Sequence, residues 1–112
     1  MDNKFWELTV QEFRQTLQNK EVCLIDIRTK EEWEQFWVIP WTNKYIVFWH
    51  PLFEYQIEKL DKNKMYLIYC WHWSRTKSAV DIMKNKWFIS VKDLAGWIDE
   101  WIKAGEKIVE KI

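Results

Sequence analysis

Met65-Tyr66-Leu67-Ile68-Tyr69-Cys70-Trp71-His72-Trp73-Ser74-Arg75-Thr76, continuing through Lys77-Ser78-Ala79-Val80-Asp81-Ile82-Met83-Lys84, is the stretch that decides the fold. Met65 to Tyr69 is a short apolar run, which reads as a buried strand. Arg75 to Lys84 reads as a helix. A cysteine therefore ends a strand, and the next few residues turn the chain into a helix. Loop N–H groups and the helix N-terminus converge where the sulfur would sit, and both favour an anion there. A cysteine in such a place tends toward the thiolate, the nucleophilic form. The plain alternative is a buried cysteine closing a strand.

Reading outward from this stretch, strands and helices alternate. Thr9-Val10-Gln11-Glu12 fits a capping box, and Phe13 and Leu17 continue it at helical spacing, which predicts a helix over roughly 10–18. Val22 to Ile27 predicts a strand. Thr29-Lys30-Glu31-Glu32 is a second capping box and opens a short helix to about Gln35. Tyr45 to Phe48 reads as a strand, and Phe53, Ile57 and Leu60 form a helical stripe. A short strand near Ser90–Leu94 follows the central helix. The last helix holds Ile98, Trp101 and Ile102, with Gly105 as its stop. Alternation of this kind predicts an α/β fold with a mainly parallel sheet covered on both faces. In such sheets ligands bind beyond the carboxyl ends of the strands. Cys70 is at one such end, and Asp26-Ile27-Arg28 is at another.

Composition narrows the classes of function. The 112 residues suit one domain, 1–112, and 48% are hydrophobic, enough for a core. Seventeen basic residues balance seventeen acidic ones, so no net field favours nucleic acid. No apolar run approaches the ~20 residues of a membrane span, and Met1-Asp2-Asn3-Lys4 lacks a signal peptide's regions. A cytoplasmic protein is the expectation. Cys23 lies in an apolar strand and reads as a small buried thiol. His50, His72, Cys23 and Cys70 lack zinc spacing, so no metal is expected. No nucleotide fingerprint is present, and no cofactor is expected.

Three motifs, in order, resemble the single-domain rhodanese family of sulfurtransferases. The first is Asp26-Ile27-Arg28 at a strand end, followed by a Glu-rich short helix. The second is a cysteine, four residues, then Arg and Ser or Thr: Cys70 through Arg75-Thr76. The third is Leu94-Ala95-Gly96-Trp97-Ile98-Asp99-Glu100-Trp101, which meets a Leu-x-Gly-Gly-x-x-x-Trp pattern with one mismatch. The resemblance covers nearly the whole chain and implies a rhodanese-like sheet of about five strands. Its four-residue loop fits a sulfane-sulfur cradle, whereas related phosphatases and arsenate reductases of this fold carry five.

The resemblance implies that Cys70 takes sulfane sulfur from a small donor such as thiosulfate. It then passes the sulfur, through a persulfide, to cyanide or to a small or protein thiol. Trp71, His72, Trp73, Ser74, Arg75 and Thr76 would form the substrate loop. Arg75 either braces the loop, against Asp26 or a carbonyl, or faces the donor's oxyanion. Asp26 and Arg28 read as an ion-pair support. Ser74 or Thr76 either hydrogen-bonds the sulfur or caps the helix, and His72 adds charge at low pH or is simply solvated. A noncatalytic rhodanese-like binding module is the competing reading.

The mismatches with the family share one pattern. Trp37, Trp41, Trp73, Trp87 and Trp97 stand where glycine is expected, and Val38 replaces a histidine. The chain has ten tryptophans and two glycines, against an ordinary glycine usage of about 7%. The codon UGA encodes glycine in some bacterial codes and tryptophan in others. Reading glycine at 37, 41, 71, 73, 87 and 97 gives the loop Cys-Gly-His-Gly-Ser-Arg-Thr. Trp49 and Trp6 are weaker members of this set, while Trp33 and Trp101 fit aromatic packing sites. Engineered tryptophans are the competing explanation, and an exposed tryptophan cluster also fits a protein-binding patch. An aromatic platform for carbohydrate or single-stranded nucleic acid is disfavoured, because it needs interleaved basic residues and a regular face, and these tryptophans track turns instead.

Overall fold

The structure is a computed structural model. It describes residues 6–35, 37–71 and 73–110, with Gln35, Trp73 and Ser74 described by backbone alone. The chain runs β1 (Glu7–Leu8), α1 (Val10–Thr16), β2 (Cys23–Asp26), α2 (Lys30–Gln35), β3 (Lys44–Tyr45), α3 (Phe53–Glu58), β4 (Met65–Tyr69), α4 (Trp73–Asn85), β5 (Ser90–Leu94) and α5 (Trp97–Lys103). The sheet order is β1-β5-β4-β2-β3, and every pairing is parallel.

Side-chain alternation along the strands builds two cores. Ile25, Tyr66, Ile68 and Val91 point to one face, where Phe53 and Ile57 of α3 and Ala79, Val80 and Met83 of α4 cover them. Leu24, Leu67, Tyr69 and Leu94 point to the other, under Phe13 of α1 and Ile98 and Trp101 of α5. Helices therefore cover both faces, and the strands, buried on both sides, read as near-continuous apolar runs. Trp101 anchors the second core. It is 1% exposed, lies edge-on to Phe13, and donates its indole N–H to the Lys107 carbonyl at 2.8 Å.

Both capping boxes form. Thr9 and Glu12 exchange hydrogen bonds at 2.9 and 3.2 Å, and Thr29 and Glu32 do so at 2.8 and 3.2 Å. Four features differ from the sequence reading. The two-residue β1 has no counterpart in it; this strand joins the sheet as a parallel edge beside β5. β3 is Lys44–Tyr45, not 45–48, because beyond Tyr45 only Ile46 and Phe48 keep hydrogen bonds to the end of β2 (Asp26 and Ile27 carbonyls). α4 begins at Trp73, two residues before Arg75, so the turn after Cys70 is shorter than the motif suggests. Cys23 is half-buried, not fully buried.

The two cysteines sit at opposite ends of the sheet. Cys23 pairs in register with Tyr66, and Cys70 lies four residues further along. That separation is roughly 13 Å at the strand rise, beyond disulfide reach, and neither cysteine forms a disulfide.

Candidate active site

From β2 the chain moves outward to β3, then returns to β4 on β2's other side. The carboxyl ends of β2 and β4 therefore flank the point where strand order reverses, the usual ligand crevice of an open α/β sheet. Asp26 pairs in register with Tyr69, so Arg28 and Cys70 emerge at nearly the same level. Cys70 is completely buried. Its carbonyl accepts the Ile98 N–H at 3.2 Å, which ties the residue to the first turn of α5. α4 starts after only Trp71 and His72, so the positive end of a thirteen-residue helix is adjacent to the cysteine in sequence.

The carboxyl end of β2 carries a buried polar pair. Arg28 donates from its backbone N–H to Asp26 Oδ1 at 2.9 Å. Its Nε lies 3.1 and 3.0 Å from the two carboxylate oxygens, and Nη2 lies 2.8 Å from Oδ2. Both side chains are wholly buried. An i, i+2 pair at a strand end shares one face, which lets this contact form locally. Arg28 Nη2 also reaches the Trp37 carbonyl at 3.1 Å, holding the segment that leads to β3. The guanidinium carbon lies 5.6 Å from the Tyr69 ring centre and 5.7 Å from that of Trp71. Burial opposes the charge on Arg28, but its hydrogen bonds and attraction to Asp26 outweigh that and raise its pKa further.

Arg75 does not meet Asp26, whose carboxylate Arg28 already occupies. Its guanidinium is bidentate on Glu32, with Nη1 to Oε1 at 3.0 Å and Nη2 to Oε2 at 3.4 Å. Glu32 is also the reciprocal member of the Thr29 capping box, so one carboxylate links the start of α2 to the first turns of α4. Burial pushes the Glu32 carboxyl up. The Arg75 hydrogen bond, the Thr29 N–H and the Arg75 charge outweigh it and hold the group below the usual carboxylate range. Arg75 thus braces the loop's helix against α2.

Tyr69 forms the third tie. Its buried hydroxyl accepts the Ile39 N–H at 3.2 Å and shares a 2.8 Å hydrogen bond with Thr42. Burial leads the causes that push its pKa well above the ordinary phenol value, so the hydroxyl stays neutral. This pins the Val38–Thr42 turn to the end of β4. Trp71 is partly buried and packs against both cores. Thr76 is fully buried within α4. His72 and the side chains of Trp73 and Ser74 lie outside the described residues. Among the described residues, no group of three or more His, Cys, Asp or Glu is placed to hold a metal ion.

The sequence does not single out Glu32 as Arg75's partner, nor the Tyr69 hydroxyl. The capping box marks Glu32 as important for α2, but nothing local marks its contact with a residue 43 positions on. Ile98 reaches Cys70 through its backbone, which carries no side-chain signal.

Residues 9–104 match the sequence profile of the Rhodanese-like domain. The chain belongs to the rhodanese-like family. No curated protein sequence matches it. Solved structures resemble it in fold at low identity. A rhodanese-related protein of Thermoplasma volcanium superposes with a TM-score of 0.77 at 20% identity, covering 94% of this chain and 98% of that one. The polysulfide-sulfur transferase homodimer of Wolinella succinogenes gives 0.78 at 20%, covering 94% and 78%. Thiosulfate sulfurtransferase of Pseudomonas aeruginosa gives 0.76 at 15%, covering 95% of this chain but 20% of that one. Among the described residues of this rhodanese-like chain, no helix is long and apolar enough to cross a membrane.

Proposed function

We propose that this chain is a rhodanese-type sulfurtransferase that moves sulfane sulfur from a donor such as thiosulfate to a thiol or cyanide, with Cys70 as the carrier. The observation that carries this reading is the placement of Cys70. It directly follows the central strand β4 at the reversal of strand order and stands just ahead of α4, in a chain of the rhodanese-like family. In the first half-reaction the Cys70 thiolate attacks the outer sulfur of thiosulfate. The S–S bond of the donor breaks, sulfite leaves with the electron pair, and a cysteine persulfide anion remains. In the second, cyanide or an acceptor thiolate attacks the terminal sulfur, and the Cys70 thiolate is the leaving group. Thiocyanate, or the acceptor's persulfide, departs. Loop N–H groups and the α4 N-terminus stabilise the anionic sulfur in both states. The Asp26–Arg28 and Glu32–Arg75 pairs hold the two strand ends and the helix in place and take no proton in the cycle. The reaction needs no metal or cofactor, and its partners are a small sulfur donor and a small or protein thiol in the cytoplasm.

Thiocyanate formation from thiosulfate and cyanide tests this, run beside phosphatase and arsenate-reduction assays. Cys70→Ser should abolish transfer with the fold intact, since a serine hydroxyl is a far poorer nucleophile, while Cys23→Ser should keep most of it. Equal loss from both substitutions would overturn the assignment. A second reading, a noncatalytic rhodanese-like binding module, draws on one observation. Cys70 is 0% exposed while Trp71 packs against the core beside it. A folded chain with no turnover in any of the three assays would favour it.

A further inference from the structure

Among the described residues, the non-glycine residues with positive φ are Trp41 (72°), Trp87 (73°) and Trp97 (64°). All three are tryptophan. Two of them occupy turns whose hydrogen bonds define a glycine position. Pro40 and Trp41 are the central residues of a turn closed by the Thr42 N–H on the Ile39 carbonyl at 3.3 Å. Proline first and a left-handed residue second is the pattern of a type II turn, whose second position asks for glycine. Trp87 follows α4. Its N–H reaches the Lys84 carbonyl at 3.1 Å, and the Phe88 N–H reaches the Met83 carbonyl at 3.2 Å. Those two bonds are a Schellman helix stop with Trp87 at the left-handed C′ position. Trp97 follows Gly96, itself left-handed at 75°. A side chain at Gly96 would run into that of Glu100.

Packing gives no reason for tryptophan at the two exposed sites. Trp41 is 73% and Trp87 83% exposed, so little indole burial offsets the strained backbone. Trp33 and Trp101 differ: both are buried, and both pack edge-on to another ring. Neither has a positive φ.

We infer that positions 41, 87 and 97 are glycine in the protein the gene specifies, each encoded by UGA in a code where that codon means glycine. The chain then carries tryptophan because the codon has been read in a code where it means tryptophan. The same substitution extends to Trp71 and Trp73, and the working loop is Cys-Gly-His-Gly-Ser-Arg-Thr. This extension rests on the sulfurtransferase reading; the inference at 41, 87 and 97 does not. Trp33 and Trp101 remain tryptophan.

The codons and the native polypeptide test it directly. The gene should carry UGA at 41, 87 and 97 and UGG at 33 and 101. Peptides of the protein purified from its own cells should show glycine at the three left-handed positions. UGG codons at 41, 87 and 97, or tryptophan in those native peptides, would overturn the inference. A fold-level test needs no catalysis. Trp87→Gly should raise the urea midpoint, and Trp87→Ala should fall well short of it, because alanine removes the indole but keeps the Cβ that left-handed backbone disfavours. An alanine variant as stable as the glycine variant would show that bulk, not φ, is at issue and would contradict the turn argument. Thiocyanate rates on Trp71→Gly/Trp73→Gly then bear on the loop alone. A raised rate supports the extension; an unchanged rate overturns it and leaves the turn result standing.

Discussion

Two helices of this molecule end in the same way with different residues. After α5, the Gly105 N–H bonds to the Ile102 carbonyl at 3.0 Å and the Glu106 N–H to the Trp101 carbonyl at 3.2 Å, with Gly105 at φ 78°. After α4, Trp87 and Phe88 make the same two bonds, with Trp87 at φ 73°. The backbone solution is shared, and only one end has the residue that adopts it freely. The difference teaches that the hydrophobic pattern and capping set this fold strongly enough to impose a left-handed turn on a bulky residue. The cost is then carried locally, at the turn.

The comparison predicts a hierarchy in which the strand-end scaffold matters most. Asp26→Ala leaves the Arg28 guanidinium buried without its carboxylate and should cost about 3–5 kcal/mol, as for other broken buried pairs. Urea unfolding measures it, and a cost below that of the helix-end changes would break the ranking. Exchanging residues between the two helix ends comes next. Gly105→Trp should destabilise by ~1–2 kcal/mol, the usual cost of left-handed backbone for an L-residue. Nothing lies within 4 Å of a Cβ placed there, so the cost isolates conformation from clash. Trp87→Gly should gain a similar amount. Equal midpoints for the parent and both variants would break the comparison, because left-handed backbone would then cost tryptophan nothing.

The smallest effect concerns the Glu32–Arg75 tie, which is partly solvated and therefore screened. The Glu32 carboxyl titrates lower in the folded chain than in the unfolded chain. Its contribution is present above the unfolded value and lost as pH falls through the folded one. Glu32→Gln should therefore be less stable than the parent near neutrality, and the gap should close on acidification. A gap that persists at acid pH would place the effect in the capping box or in packing.

Much of this is legible in the sequence because its signals are local. Thr9 with Glu12 and Thr29 with Glu32 announce helix starts by side-chain chemistry three residues apart, and both boxes form. Ser90–Leu94 is a strand as read, and Trp33 and Trp101 are buried where the pattern asks for an aromatic. Gly105 marks a stop because glycine is free at C′. The rest depends on contacts between distant residues. β1 is two residues long, too short for periodicity, and exists because β5 offers an open edge. The motif points Arg75 at Asp26 or a carbonyl, but Arg28, two residues from Asp26, saturates that carboxylate. The start of α4 at Trp73 is hidden because the loop motif sets the expected boundary at Arg75.

The central claim is that Cys70 carries sulfur, and the mass of its peptide after thiosulfate treatment tests it most directly. The measurement is made on the chain as it stands and on the Trp71→Gly/Trp73→Gly variant. The Cys70 peptide should gain the mass of one sulfur, to a greater extent in the variant. Cyanide should remove the gain, and the Cys23 peptide should stay unchanged. No gain on Cys70 in either form, or an equal gain on Cys23, would contradict it.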